Sequence, residues 1–306
     1  LLTKRYANEL SGFFAAFFYL FLPFSIFYGR TILPDPSMAA AILGGTYFFD
    51  RWLESISNSK KKIANIHSKY KIFLILSATF TALAFLLKPY ALFFALPMVY
   101  LAWRRFGFDL IKKWQLWLFA GLTLAPLILW RKWIGNYPEG IPASSWLFNG
   151  DGIRFRPAFF RWIGYERVTK LILGYSGILF LIGSLLALSE RLNSAQRRWS
   201  ESNGFFLSFA VSSALYVSVI ATGNVRHDYY QIAIIPTISI FAGLGASGFF
   251  EILVKRGGMI IASSVLGIIV LSSFYFFWML VRDYFNINDR GMVTAGKKAD
   301  EILPKD

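Results

Sequence analysis

Two residues suited to acid–base or anion-binding chemistry lie in a short polar segment between two apolar runs. Arg30 and Asp35 are five residues apart in the sequence YGRTILPDPS, and Pro34 and Pro36 flank the carboxylate. Because proline restricts the backbone, this cation and this carboxylate are held in a stiff loop, which favours a binding site. The alternative is an ordinary turn in which Asp35 caps the following helix near Ser37.

A lysine interrupts the apolar stretch 72–103. Its 32 residues are too many for one membrane span and few for two, and Lys88-Pro89 lies in the middle. Two helices of about 15 residues that turn there reach only about 22 Å each, so the ammonium group lies below the average membrane surface. A charge at that depth is costly without a partner, which makes Lys88 a candidate anion ligand. The alternative is a side chain that snorkels to the interface.

A third polar motif precedes another apolar run. Arg226, His227, Asp228, Tyr229 and Tyr230 follow one another in the sequence. At a helix N-terminus, backbone N–H groups and the helix dipole attract anions, so Arg226 and His227 could bind phosphate while a tyrosine donates a hydrogen bond. The competing interpretation is an interfacial aromatic belt with Asp228 as the helix cap.

The segment 131–167 interleaves aromatic and basic side chains. The rings could stack on sugars while guanidinium groups contact phosphate. An amphipathic segment lying in the headgroup layer has the same pattern, and that interpretation is favoured, so we assign no residue of this segment a catalytic role. The side chains in question are Trp133, Tyr137, Trp146, Phe148, Phe155, Phe159, Phe160, Trp162 and Tyr165, with Arg154, Arg156, Arg161 and Arg167.

The composition indicates that these motifs are carried by helices in lipid. The 306 residues are 56% hydrophobic and 19% aromatic with a mean hydropathy of +0.50, which is more apolar surface than a soluble domain can bury. The formal charge of +15 is distributed in short clusters between apolar runs, which indicates membrane lipids and not nucleic acid as partners. The absence of cysteine excludes disulfide and thiolate chemistry, and two histidines argue against a His-rich metal site.

Apolar runs of about 20 residues predict an all-α, polytopic transmembrane bundle. With the stretch 72–103 counted as two helices, four basic clusters between spans fall on one side, as expected for the cytoplasmic face, although the outer loop 131–167 is also basic. We therefore predict about nine spans, with the N-terminus cytoplasmic and the loops 29–36, 88–89, 131–167 and 222–228 outside. The other seven spans are expected at 10–28, 37–53, 114–130, 168–189, 204–221, 229–250 and 259–281.

The chain divides into two regions by composition. Residues 1–282 form the predicted transmembrane domain, and residues 283–306 become polar and end in a short amphipathic pattern. We interpret this tail as the start of an extracytoplasmic domain and both ends of the sequence as cut.

Three motifs in this order resemble the membrane region of the large membrane-fold (GT-C-type) glycosyltransferases related to protein O-mannosyltransferases and the aminoarabinose transferase of lipid A. The segment from Arg30 to Asp35 is similar to that family's R-x-x-x-P-D motif. Lys88-Pro89, within an apolar run ending near Pro97, resembles its L-x-K-x-P motif. The segment beginning at His227 resembles its H-x-Y-Y-x(5)-P motif.

The resemblance implies transfer of a sugar from a polyprenyl-phosphate donor to an acceptor at the outer face of a multi-pass cell membrane, in particular a bacterial inner membrane. By that resemblance the lipid phosphate is held by basic residues, and Tyr229 or Tyr230 lines the donor pocket. Asp35 orients substrate or a divalent metal ion. No other cofactor is implied, and the need for the metal ion is left open. The family's main catalytic carboxylate lies in an earlier outer loop that this sequence lacks, so the chain by itself is expected to be inactive. The implied phosphate ligands are Arg30, Lys88, Arg226 and His227.

Other functions fit parts of the same pattern. A transporter or flippase of lipid-linked saccharides also builds sites from half-buried cations and broken helices, although no internal repeat is visible. An O-antigen-ligase-like enzyme would share the donor, and a membrane scaffold explains the outer cations least well. The sequence predicts neither the sugar nor the acceptor, nor metal dependence, nor oligomeric state.

Overall fold

A computed structural model describes residues 1–58, 64–140, 145–174, 177–188, 197–285 and 290–303. Within these ranges every regular element is helical, which confirms the all-α prediction. Lys60 to Lys62 and Arg191, which contributed to the predicted charge asymmetry, lie outside the described residues.

The α-helices are numbered along the chain as follows: α1 Leu2–Tyr6, α2 Glu9–Phe21, α3 Pro23–Tyr28, α4 Pro34–Asn58, α5 Ala64–Leu87, α6 Leu96–Phe106, α7 Trp114–Ile134, α8 Pro157–Phe160, α9 Gly177–Leu188, α10 Arg197–Val219, α11 Ala221–Arg226, α12 Ile235–Phe285 and α13 Arg290–Ile302. The 3₁₀ segments are Pro89–Ala95, Gly107–Lys112, Pro138–Gly140, Ser145–Leu147, Gly150–Phe155 and Asp228–Ile234, and Arg161–Ile172 is a π-helix.

Several helices have the length and apolarity of membrane spans. Among the described residues these are Tyr70–Leu87, Ser202–Val219 and Asp228–Asp283, with a fourth if Pro157–Ile172 and Gly177–Leu188 form one span. The stretches 37–53 and 114–130 are helical, as α4 and α7, but they are not among these candidate spans, so their crossing of the membrane stays a prediction. The predicted span 10–28 is interrupted: α2 ends at Phe21 and α3 starts at Pro23, because proline lacks the N–H that would continue the helix.

The chain reverses direction within α12. At about 1.5 Å per residue its 51 residues are far longer than a bilayer core is thick, and Gly258 breaks the helix with φ 80° and ψ 174°. Before the break, Glu251 contacts Asn8, and Gly243 packs against Ala15. After the break, α12 runs in the same direction as α2 and α3, since the Phe274 ring contacts Phe17 and the Phe285 ring contacts Phe27. The two halves of α12 are therefore antiparallel, as two separate spans require.

A second reversal occurs at Lys88. α5 runs antiparallel to α4, with Thr81 beside Gly45 and Tyr70 beside Trp52. α6 then returns parallel to α4, since Met98 also contacts Gly45. The predicted turn at Lys88-Pro89 is thus present in the structure, and it carries Lys88 back to the first turn of α4.

Helices α9 and α12 approach each other closely, because glycines lie where they touch. A Cβ atom at Gly183 would lie 1.8 Å from the carbonyl oxygen of Phe241, and one at Gly245 would lie 1.7 Å from that of Leu179. Lipid tails are as apolar as leucine, so membrane helices associate through such small-residue contacts. A separate cluster of buried aromatic rings packs around Trp52, and its members are Phe119, Phe205, Phe206 and Phe209.

Candidate functional site

An ion pair between Asp35 and Lys88 lies at the centre of the candidate site. Asp35 is in the first turn of α4 and is completely buried, while Lys88, in extended backbone after α5, has a side chain 15% exposed. The Lys88 Nζ donates to Asp35 Oδ1 at 2.8 Å and lies 2.7 Å from Oδ2. Asp35 is therefore part of the helix and a counter-ion to Lys88, and the simple turn-and-cap interpretation of its motif is wrong.

Three phenol rings surround the Lys88 ammonium group. Its Nζ lies 5.3 Å from the ring centroid of Tyr90, 5.1 Å from that of Tyr229 and 4.9 Å from that of Tyr230. These distances are within the range of cation–π attraction. The Tyr90 hydroxyl also donates to Asp35 Oδ1 at 3.1 Å. Burial lowers the pKa of Lys88, and the hydrogen bond and charge of Asp35 oppose that shift.

His227 and Arg226 extend the cluster toward the surface. The His227 ring stacks on Tyr230 with centroids 5.9 Å apart, and its centroid is 5.3 Å from that of Tyr229. Trp146 contacts His227 edge-on at 5.6 Å, and the exposed Arg226 guanidinium lies 5.9 Å from the Trp146 ring. The second and third polar motifs of the sequence thus meet at one place.

The backbone that carries His227 differs from the predicted helix entrance. Asp228–Ile234 is a 3₁₀ segment, and the α-helix begins only at Ile235. Asp228 lies seven residues before that start, so it does not cap the α-helix. Its Oδ2 lies 3.7 Å from Nη1 of Arg167, and Nη2 of Arg167 donates to the Val225 carbonyl at 3.4 Å. A buried glutamine, Gln231, stabilises the turn through its Nε2 donation to the Asn224 carbonyl at 2.6 Å.

Arg30 lies apart from this cluster. It is exposed, and its guanidinium group lies 4.3 Å from the ring centroid of Phe285, the last residue of α12. Among the described residues the structure gives Arg30 no ion pair with Asp35. Its predicted contact with a lipid phosphate stays a prediction from the sequence.

Sequence reasoning did not single out four residues that complete the site. Tyr90 follows Lys88-Pro89 directly, so the lysine motif pointed to it. Tyr216 lies in α10 with no local signal, and its hydroxyl donates to the Tyr230 carbonyl at 3.0 Å while its ring packs 5.1 Å from that of Tyr90. Trp146 and Arg167 were included only in the general pattern of the aromatic and basic loop.

An apolar cavity of about 390 Å³ lies between α9, α10 and α12. Val217 and Ile234, next to the Tyr216 and Tyr230 side of the site, line it together with Phe180 and Phe241. Its few polar groups include Ser213, whose hydroxyl donates to Thr237 at 2.7 Å. The cavity suits a hydrocarbon chain better than a polar ligand.

Comparison with known proteins finds no family model, no curated protein and no solved structure that matches the chain. In the described part of the chain, no three or more His, Asp or Glu side chains approach closely enough to hold a metal ion. The geometry of the cluster and the sequence motifs that compose it are therefore the basis for assigning a function.

Proposed function

We propose that this protein is the membrane core of a glycosyltransferase that uses a polyprenyl-phosphate-linked sugar at the outer face of the cell membrane. The observation that carries the proposal is the convergence of Lys88, Asp35 and His227, from three separate motifs, around the rings of Tyr229 and Tyr230. A nine-span, GT-C-like topology and an outer location of this end of the bundle are parts of the same proposal. The resemblance of the three motifs to that family supports it.

The basic groups of the cluster would hold the donor phosphate. The Lys88 side chain is 15% exposed and Arg226 is exposed, so in this proposal the phosphate approaches Lys88 from the side of Arg226 and His227. As the bond between sugar and phosphate breaks, negative charge grows on the departing phosphate, and cations fixed nearby lower the free energy of that transition state. Tyr229, beside both Lys88 and His227, is placed to donate a hydrogen bond to the donor.

Asp35 has an indirect role in this proposal. Its carboxylate contacts Lys88 and Tyr90 and is fully buried, so we assign it to orienting the ammonium group and keeping it charged. A low-dielectric site disfavours a lone lysine charge, and a paired carboxylate counteracts that effect. The proton acceptor for the attacking nucleophile is not among the residues assigned here.

The apolar cavity between α9, α10 and α12 is the proposed site of the polyprenyl chain. Val217, which lines the cavity, follows Tyr216 directly in the chain, so the proposal assigns a phosphate at Lys88 and a tail in the cavity to one molecule. Apolar surface and a neighbouring cation together match the two ends of a polyprenyl phosphate.

Binding tests the proposal without requiring the complete reaction. The purified chain in detergent is titrated with a short polyprenyl phosphate and with the corresponding polyprenol. We expect the phosphate to bind at least about tenfold more tightly than the alcohol, and the variant carrying both Asp35→Asn and Lys88→Met to lose that preference. Lys132→Met, an exposed charge at the end of α7, serves as the matched control and should keep it.

The outcomes separate the candidate functions. Equal binding of alcohol and phosphate by the unchanged chain would refute a phosphate site at Lys88. If binding is confirmed, the full-length protein in vesicles is given the sugar-loaded lipid: release of free polyprenyl phosphate supports transfer. Movement of the intact lipid between leaflets without release would instead establish the transporter function.

A further inference from the structure

The end of the bundle away from Lys88 contains a second cavity, and this one is polar. Its volume is about 380 Å³, and α1, α4, α6 and α10 line it. Asp50 lines this cavity fifteen residues after Asp35 on α4, which is about 22 Å along a helix. This distance approaches the thickness of a bilayer core, so the two polar clusters lie near opposite membrane surfaces.

The cavity has an excess of positive charge. Asp50 accepts hydrogen bonds from Arg5 and from the Tyr6 hydroxyl at 2.8 Å, and Glu54 accepts from Arg5 at 2.9 Å. Arg104 and Arg105 add two guanidinium groups from the last turn of α6. Three guanidinium groups therefore line the cavity with two carboxylates, and they belong to Arg5, Arg104 and Arg105.

The surroundings of the cavity are those of a membrane interface. Trp103, next to Arg104, is 45% exposed, and the segment that follows α6 exposes Phe108, Trp114 and Trp117 to the outside of the bundle. Exposed tryptophan is typical of the headgroup level of a bilayer. A ligand of this cavity can thus combine an anionic head near Arg105 with acyl chains beside these rings.

We propose that this cavity binds the phosphate of an anionic phospholipid headgroup. Guanidinium groups match phosphate oxygens in geometry and charge, and hydroxyl donors such as Tyr100 and Ser202 line the same space. Basic pockets between membrane helices are known to take such headgroups. The inference does not depend on glycosyl transfer, because none of these residues belongs to the Lys88 cluster.

Native mass spectrometry of the delipidated full chain in detergent tests the proposal, with phosphatidylglycerol as the probe. The unchanged chain should retain one phosphatidylglycerol more tightly than phosphatidylcholine. A variant carrying Arg104→Gln and Arg105→Gln should bind it about tenfold more weakly. The variant carrying Lys112→Gln and Lys113→Gln removes the same number of charges from outside the cavity, at one exposed and one partly exposed position, and it should bind as the unchanged chain does.

Any of the following results would overturn the proposal. Equal retention of phosphatidylcholine would show that charge is not recognised, and equal weakening in the Lys112 and Lys113 variant would show diffuse surface attraction. Displacement of the lipid by millimolar inorganic phosphate would assign the cavity to a free anion. Arg105→Gln alone repeats the test if the double variant does not fold, as circular dichroism would reveal, and unchanged binding by this folded variant would also count against the proposal.

Discussion

Removing the Lys88 ammonium alone should destabilise the protein more than removing both members of its ion pair. The perturbation is Lys88→Met, which keeps an unbranched apolar chain of similar length but no charge. Asp35 is then a fully buried carboxylate whose one remaining donor, within the described part of the chain, is the Tyr90 hydroxyl at 3.1 Å. An unpaired buried charge is one of the few single-site changes with a large effect on the free energy of unfolding.

The magnitude follows from the geometry. With Nζ 2.8 Å from Oδ1, the attraction between the charges is about 6 kcal/mol at an effective dielectric constant of about 20. Removing water from each ion costs several kcal/mol, so the net contribution of the intact pair is small. Breaking it from one side should cost about 3–5 kcal/mol, whereas combining Lys88→Met with Asp35→Asn should cost about 0–2 kcal/mol.

The assay is a double-mutant cycle on the free energy of unfolding in mixed detergent, followed by circular dichroism at neutral pH. We expect a coupling of at least about 4 kcal/mol between the two positions, because the double variant should lose much less stability than the sum of the two single variants. Lys132→Met should change stability by less than about 0.5 kcal/mol, because that side chain is exposed. Additive effects of the two substitutions would refute the argument that each charge is held in place by the other.

Three further predictions concern other parts of the fold. Gly183→Ala should lower the free energy of unfolding by about 1–3 kcal/mol through overpacking, whereas Gly121→Ala, with open space at its Cβ, should raise it by about 0.5–1 kcal/mol, both measured by thermal unfolding. Burial, then the Asp50 charge, raises the pKa of Tyr6 above its ordinary value of 10.0. Its contribution to stability is thus present below pH 10.0 and lost as pH rises further, and Tyr6→Phe should weaken this alkaline loss in a pH series. Because the chain has no cysteine, Lys255→Cys and Ile32→Cys can be labelled alone and should react from opposite sides of a sealed vesicle.

Each of these predictions has a result that would contradict it. Equal effects of the two glycine substitutions would show that α9 and α12 are not in close contact. Identical alkaline unfolding with and without the Tyr6 hydroxyl would exclude its hydrogen bond to Asp50 as a pH-sensitive contact. Labelling of both cysteines from one side would contradict the proposed topology, since Gly258 and the Arg30 loop would then share a membrane face.

The helical class and the polar motifs were predictable from the sequence, because both depend on local properties. Long apolar runs in a chain of high mean hydropathy leave helices as the available structure, and a lysine followed by proline in the middle of such a run predicts a reversal. The chain does reverse at Lys88, and Asp35, Lys88 and His227 are identifiable as candidate site residues from the sequence alone. The number of spans and their sides stay predictions, because charge bias between loops is a weak signal when the outer loop is itself basic.

The partners of each motif were decided only by tertiary structure. Asp35 and Lys88 are 53 residues apart in sequence, and their pairing depends on the antiparallel packing of α4 and α5. Tyr216 and Arg167 reach the site from helices with no local motif, so no spacing could have identified them. A periodic pattern specifies which face of a helix is apolar, but the neighbour it meets depends on packing of the whole bundle.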